Sequence, residues 1–161
     1  GLLSDIPGDA VLHIALGDPA LKRRFLSEFP GRQWATIIHP LARVHDSAVV
    51  GEGSFIGANA YVEPLSSVGA HTILTAGSFV AHDSKVGSFT LFGGNACTGG
   101  LAIVGDDCII GTGAAVSPRT SVGNGSKLGS GSAAHFDIPA GCTAIGTPAQ
   151  WVVAKTGDSS V

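Results

Sequence analysis

The chain has 161 residues, the length of one domain with at most a small appendage. Only 13% of its residues are charged, against roughly 25% in an ordinary globular domain, so small neutral side chains must cover much of the surface. A net charge of −3 gives no electrostatic reason to expect nucleic acid or an anionic membrane as a partner. No apolar run approaches the roughly 20 residues that a membrane-spanning helix needs, and the first residues are not those of a signal peptide.

The cysteines indicate the cellular compartment of the protein, and the absence of methionine indicates whether Gly1 is its translated start. Cys97, Cys108 and Cys142 are an odd number with no CxxC pair. This usage favours a cytoplasmic protein with reduced thiols over a disulfide framework or a zinc site, and we expect no metal. Because the sequence contains no methionine, we expect Gly1 to follow an upstream segment of a longer protein.

Three elements are predicted before the repetitive part of the chain. Ala10–Leu16 is predicted as a strand, Pro19–Phe29 as a helix with proline in its first turn, and Gln33–Ile38 as a second strand. A strand-helix-strand fragment of this kind is typical of the end of a small α/β domain. We therefore assign residues 1–36 to a partial α/β domain.

A six-residue repeat runs from Ile38 to Ala134. Every sixth residue in this range is large and apolar at 15 of 17 positions, the exceptions being Thr98 and Ala134. The residue two places earlier is small at all 17 positions, and the residue that follows is glycine at ten. Side chains two residues apart point to the same side of a strand, so each repeat sends one large and one small side chain inward. The glycines are expected to supply the backbone angles of tight corners.

This pattern predicts a parallel β-helix. One repeat alone buries too little apolar surface, but stacked repeats share a continuous core. Each buried aliphatic side chain contributes roughly 1.5–3 kcal/mol before the entropic cost is subtracted. An α-helical interpretation fails because a period of six does not match 3.6. We assign residues 37–150 to this domain and residues 151–161 to a C-terminal tail.

The repeat resembles the hexapeptide-repeat acyltransferases, an all-β family in which three repeats form one triangular coil of 18 residues. The left hand of that β-helix is implied by the resemblance, because parallel crossovers are otherwise right-handed. After the repeat, Ile138–Gly141 and Gly146–Ala149 are similar to the closing segment of these enzymes. Together with the N-terminal fragment they narrow the resemblance to sugar acetyltransferases, among them the bacillosamine-pathway N-acetyltransferase and the sialic acid O-acetyltransferase group.

The resemblance covers the chain from about Val11 to Ala149. It implies acetyl-CoA as co-substrate, a sugar acceptor (an amino sugar, linked to a nucleotide, as the leading candidate) and a homotrimer with its sites between subunits. In that family a glycine-rich loop of the α/β domain binds the nucleotide. That loop is absent from the sequence, so nucleotide binding does not follow from the resemblance.

The segment Val80–Gly87 (VAHDSKVG) resembles the catalytic stretch of the family. There a histidine takes a proton from the acceptor amine or hydroxyl and an adjacent carboxylate raises its basicity, which implies these roles for His82 and Asp83. An imidazole, with an ordinary pKa of about 6.5, suits a general base at cytoplasmic pH. Adding one coil to His82 gives Gly100, whose N–H is expected to bind the oxyanion of the thioester, as a matching glycine does in the family. A solvated corner histidine and a glycine set by corner geometry remain the alternatives.

A second column of residues at intervals of 18 is uniformly small. Its members are Ala76, Gly94, Thr112 and Ser130. We expect a shallow groove here for the pantetheine arm of coenzyme A, and the resemblance implies that Thr112, Ser130 and Gly100 contact acetyl-CoA.

Three positions depart from the family pattern. Leu91, nine residues after His82, stands where close relatives have a cofactor-contacting histidine. Thr75 stands where some have an asparagine near the sugar, and Ala81 stands where an acidic residue is common. Leu91 is kept as a candidate cofactor contact.

Two other functions share this fold. The γ-class carbonic anhydrases bind zinc through two histidines five residues apart, and no histidine pair here has that spacing. A non-catalytic assembly scaffold is the second alternative, and it predicts no thermal stabilisation by acetyl-CoA.

Overall fold

The computed structural model describes residues 6–153, and most of them form a parallel β-helix of two-residue strands. One helix, α1 (Pro19–Ser27), precedes it. The strands of the β-helix are Ile37–Ile38 (β1), Arg43–Val44 (β2), Val49–Val50 (β3), Phe55–Ile56 (β4), Tyr61–Val62 (β5), Ser67–Val68 (β6), Ile73–Leu74 (β7), Phe79–Val80 (β8), Lys85–Val86 (β9), Leu91–Phe92 (β10), Cys97–Thr98 (β11), Ile103–Val104 (β12), Ile109–Ile110 (β13), Ala115–Val116 (β14), Ser121–Val122 (β15), Lys127–Leu128 (β16) and Ala133–Ala134 (β17). Two longer strands follow, Cys142–Gly146 (β18) and Ala149–Val153 (β19).

The strands form three sheets, one on each side of a triangular coil. The first sheet has the order β1-β4-β7-β10-β13-β16-β18-β19, the second β17-β14-β11-β8-β5-β2 and the third β15-β12-β9-β6-β3. Residues of neighbouring coils pair in parallel at an interval of 18, as Tyr61 does with Phe79. Among the strands of residues 6–153, only β18 and β19 pair antiparallel. The predicted all-β fold, a left-handed parallel β-helix of hexapeptide repeats, is confirmed.

The second residue of each strand lines the core, as the repeat predicts. Val62, Val80 and Phe92 are fully buried, and the small residues two places before them are buried as well. The first coil is different, because it is covered by a neighbouring coil on one side only. Ile38, at the inward position of β1, remains 47% exposed for this reason.

The corners use glycine for a different reason from the one that the sequence suggested. From Val50 to Leu128 the backbone enters the left-handed region three residues after each inward residue of the repeat, and nine non-glycine residues of the described chain lie there, including Asp83 (φ 58°) and Leu101 (φ 62°). The repeat glycine comes two residues earlier. A Cβ on Gly69 or Gly111 would lie 2.5 Å from a backbone nitrogen of the next coil. Side chains are therefore excluded at this position by the close stacking of the coils and not by the backbone angles of the corner.

The N-terminal fragment is less regular than predicted. The expected strand Ala10–Leu16 is reduced to one parallel bridge between Leu12 and Trp34. Helix α1 begins at Pro19 as predicted, with the Asp18 side chain accepting a hydrogen bond from Leu21 N–H at 2.8 Å. It ends at Ser27 and not at Phe29, because Pro30 disfavours helical geometry in the residue before it.

Two side chains of α1 hold this fragment against the β-helix. The buried Lys22 donates a hydrogen bond from Nζ to the carbonyl oxygen of His71 at 2.6 Å. Arg23 makes two hydrogen bonds to Asp107, at 2.8 and 2.9 Å, and its guanidinium lies 3.8 Å from the centre of the Phe89 ring. Among residues 6–153, no helix has the length and apolar character that crossing a membrane requires.

The division of the chain into residues 1–36, 37–150 and 151–161 stays a prediction. The first three residues of the predicted tail, Trp151, Val152 and Val153, pair with β18 as the end of β19. Residues 1–5 of the predicted N-terminal fragment and residues 154–161 of the tail lie outside the described part of the chain.

Candidate active site

The structure distributes the predicted site residues over two of the three edges of the coil. His82, Asp83 and Gly100 lie at the corners between the second and third sheets, which we call the His82 edge. Thr112 and Ser130 lie at the corners between the first and second sheets, which we call the groove edge. The sequence contained this separation, because 30 residues divide His82 from Thr112 and 30 is not a multiple of 18.

His82 and Asp83 form a hydrogen-bonded pair on the surface. The imidazole Nδ1 lies 2.9 Å from Oδ2 of Asp83, with 58% of the His82 side chain and 41% of the Asp83 side chain exposed. An ionised carboxylate only accepts hydrogen bonds, so Nδ1 carries the proton and Nε2 of a neutral ring has a free lone pair. In this arrangement Nε2 of the exposed imidazole is able to accept a proton.

Gly100 lies directly beside this imidazole, one coil further along. A Cβ on Gly100 would come within 2.5 Å of His82 Nε2 and 2.6 Å of Cε1, so the ring occupies the space that a side chain would need. The Gly100 N–H makes no hydrogen bond to any of the residues from 6 to 153. The edge thus offers a free imidazole nitrogen and a free backbone N–H in adjacent coils.

The strand ladder is interrupted immediately before His82. On the second sheet, Glu63, Gly99 and Ser117 donate their N–H to main-chain carbonyls one coil ahead. Ala81, at the equivalent position, donates instead to the Thr98 hydroxyl at 3.0 Å. In the sequence Thr98 is an exception among the large inward residues, and this polar side chain was the available signal for the contact.

Glu63 is a second residue that the sequence analysis missed. Its Oε2 accepts a hydrogen bond from the backbone N–H of His82 at 2.8 Å, from the preceding coil. Glu63 follows a large inward residue directly, a position at which glycine is the commonest residue. A charged side chain at a glycine position was therefore the available signal.

The groove edge has the open, small-residue surface that was predicted. Ala76, Thr112 and Ser130 are exposed, and Gly94 is half-buried. A Cβ on Gly94 would have Ala76 O as its nearest neighbour, at 3.7 Å, so the groove has unfilled space beside it. These residues lie at successive corners along one edge, and none of them lies on the same edge as His82.

Leu91 lies apart from both edges. It is the outward residue of β10 on the first sheet, where its Cδ2 is 3.4 Å from the Cβ position of Gly17 in the N-terminal fragment.

The outward face of the second sheet separates the groove edge from the His82 edge and carries Phe79, Cys97 and Ala115. Burial raises the pKa of the Cys97 thiol, so this thiol stays protonated at neutral pH. Within residues 6–153, no three His, Cys, Asp or Glu side chains come together as a metal-binding group.

Similarity to known proteins is clear in structure and weak in sequence. No family sequence profile matches the chain, and no curated protein matches it by sequence. The acetyltransferase domain of PglB from Neisseria gonorrhoeae, solved with acetyl coenzyme A, superposes with a TM-score of 0.88 at 30% identity, over 93% of this chain and 75% of that one. PerB from Caulobacter crescentus, solved with CoA and GDP-perosamine, superposes with a TM-score of 0.86 at 30% identity, over 89% of this chain and 70% of that one.

The chain belongs to the hexapeptide-repeat sugar acetyltransferases. WeeI from Acinetobacter baumannii is also similar, with a TM-score of 0.86 at 26% identity over 92% of this chain and 74% of that one. The predicted family and the assignment of the chain as an acyltransferase are confirmed.

Proposed function

We propose that this sugar acetyltransferase moves an acetyl group from acetyl-CoA to the amine of a nucleotide-linked amino sugar, with His82 as general base. The observation that carries the proposal is the imidazole of His82, which is paired with Asp83 and lies against Gly100, a residue whose N–H makes no hydrogen bond within residues 6–153. The structural neighbours support the substrates, since PglB is solved with acetyl coenzyme A and PerB with CoA and GDP-perosamine. The perosamine enzyme is an N-acetyltransferase, which favours an amine over a hydroxyl acceptor.

The proposed reaction is a direct transfer without a covalent enzyme intermediate. The acceptor nitrogen attacks the carbonyl carbon of the thioester, and Nε2 of His82 takes one proton from that nitrogen. The tetrahedral intermediate then breaks its carbon–sulfur bond. The imidazolium returns the proton to the departing thiolate, which gives an amide and CoA–SH and restores neutral His82.

Asp83 and Gly100 stabilise the charges that develop in this sequence. The Asp83 carboxylate lies 2.9 Å from Nδ1, where it stabilises the imidazolium formed by proton transfer. The N–H of Gly100 is free to donate to the oxyanion, and the missing side chain allows the imidazole to lie against the Gly100 backbone. Loss of one such donor typically costs about 10²–10³ in kcat.

Cofactor binding across the two edges supports a homotrimer. A molecule that contacts Thr112 and Ser130 and also reaches His82 must cross the second sheet or lie between two copies of the chain. Apolar side chains around the His82 edge favour the second route, because Leu65 and Phe136 are each 67% exposed there and Ile103 on the third sheet is 51% exposed. Exposed apolar residues that cluster around a site are typical of a subunit interface. We therefore place acetyl-CoA between the groove edge of one subunit and the His82 edge of another. We also propose that the protein acts in the cytoplasm, where its three cysteines stay reduced.

The proposal is tested by acetyl transfer with a defined acceptor panel. Purified protein is mixed with acetyl-CoA and GDP-perosamine, or with other nucleotide-linked amino sugars, and released thiol is measured. We expect turnover with at least one amino sugar and a rise in melting temperature with acetyl-CoA alone. His82→Ala should lower kcat by about 10²–10⁴ while it leaves the melting temperature and subunit number unchanged. A wild-type protein that neither binds acetyl-CoA nor releases thiol would contradict the proposal and favour a scaffold.

A further inference from the structure

We propose that Glu63 and Thr98 are positioning residues that fix the corner of His82 so that its imidazole lies against Gly100. This inference rests on the proposed role of His82 as the general base. Both residues act on the backbone of the His82 corner and not on the substrate, so they are distinct from the residues assigned to the reaction above.

Thr98 changes the backbone on the N-terminal side of His82. It is 2% exposed and stands in a column of inward residues that are otherwise apolar. Its hydroxyl oxygen accepts a hydrogen bond from the Ala81 N–H. Strands β8 and β11 pair at one residue pair, Phe79 with Cys97. The neighbouring pair β5 and β8 keeps both of its residue pairs. The buried hydroxyl therefore replaces one main-chain acceptor, one residue before the base.

Glu63 accepts a hydrogen bond from the next N–H along the chain, that of His82, and it lies in the preceding coil. On the edge between the third and first sheets, the N–H two residues after the large inward residue is bound instead by the coil that follows: Ser88 Oγ accepts from Ala70 at 3.2 Å, and Asn124 Oδ1 accepts from Asp106 at 3.0 Å. At His82 the following coil provides Gly100, whose side-chain space is filled by the imidazole. The preceding coil therefore supplies the acceptor, through Glu63 Oε2 at 2.8 Å.

The two contacts together explain how one corner differs from the others. The N–H groups of Ala81 and His82 are both bound by side chains, one from the following coil and one from the preceding coil. Side chains therefore set the path of this corner, and the path decides where the imidazole lies relative to Gly100. A displacement of about 1 Å is enough to lower turnover by roughly a hundredfold when proton transfer depends on alignment.

The test separates hydrogen bonding from charge and from stability. Glu63→Gln keeps a side-chain oxygen that accepts from His82 N–H, so its kcat should stay within about threefold of wild type. Glu63→Ala loses the acceptor, and its kcat should fall at least about tenfold with the KM for acetyl-CoA unchanged. Thr98→Val restores an apolar residue to the column, so its melting temperature should be equal or higher while its kcat falls about tenfold. Asn124→Ala removes the same kind of corner contact on another edge and should leave kcat unchanged.

A second measurement tests the backbone contact at the His82 corner and does not depend on turnover. Hydrogen exchange of the His82 amide should be faster in Glu63→Ala than in wild type and unchanged in Glu63→Gln. Equal loss of kcat in the Gln and Ala variants, wild-type kcat in Glu63→Ala, or unchanged exchange in Glu63→Ala would each overturn the inference. Absence of turnover by the wild-type protein with every acceptor would contradict the proposed function. The exchange data alone would then show whether Glu63 binds the His82 N–H.

Discussion

The imidazole of His82 occupies the space that a side chain on Gly100 would fill, since a Cβ there would lie 2.5 Å from Nε2. Gly100→Ala should therefore displace the ring, because real Cβ contacts are not this short. We expect kcat to fall about 10²-fold or more, with the melting temperature little changed because the ring is exposed on the surface. Steady-state kinetics and thermal unfolding of the variant check this. Wild-type kcat in Gly100→Ala would show that the ring has another productive position.

The groove edge provides a contrasting glycine. A Cβ on Gly94 would meet no atom closer than Ala76 O at 3.7 Å, so Gly94→Val should fold normally. The added side chain would fill part of the proposed pantetheine channel. We expect the KM for acetyl-CoA to rise about tenfold, with the KM for the acceptor unchanged as an internal control. An unchanged KM for acetyl-CoA would place the cofactor elsewhere.

The proposed trimer depends on apolar residues beside the His82 edge. Leu65 is 67% exposed and has a left-handed backbone (φ 59°), a conformation that Asp tolerates better than most residues. Leu65→Asp should therefore fold but place a charge in the interface. Light scattering should show three copies for the wild type and one for the variant, with loss of turnover. Val11→Asp, at a residue 55% exposed on the N-terminal fragment, is the control and should stay trimeric. A monomeric wild type would contradict the proposed interface.

Lys22 predicts a pH dependence of stability. Burial lowers its pKa from 10.5 to about 8. Between these pH values the unfolded chain holds a proton on Lys22 that the folded protein has lost, so this residue makes the free energy of unfolding rise with pH. Below about pH 8 the residue is charged in both states and its contribution is constant and unfavourable.

Lys22→Met isolates this contribution. The free energy of unfolding of the wild type minus that of the variant should increase between about pH 8 and 10.5 and stay flat below about pH 7. Loss of the hydrogen bond to His71 contributes to this difference in the free energy of unfolding by an amount that does not change with pH. Urea unfolding at a series of pH values measures the difference, and Lys127→Met at an exposed lysine should show no such slope. An identical slope in both variants would contradict the assignment to Lys22.

The candidate site was predicted in part. The interval of 18 placed Gly100 beside His82 because stacking in a coil follows a fixed count of residues. The same count, applied to Thr112, would have separated the groove edge from the base. The contacts of Thr98 and Glu63 did not follow from the count, because a side chain chooses between the coils on either side according to the space that its neighbours leave.

The sequence by itself determined the parallel β-helix and its inward positions, because the inward pairs recur every six residues and each repeat specifies its own strand. The 18-residue coil, and with it the column of each residue, followed from the resemblance to the hexapeptide-repeat family. The sequence also determined the start of α1, through Asp18 and Pro19. The tertiary structure alone decided the contacts between residues that no period relates. Arg23 meets Asp107 across 84 residues, and Glu63 reaches the backbone of His82 across 19. Such contacts depend on side-chain length, direction and free volume, which are properties of the packed coils and not of the repeat.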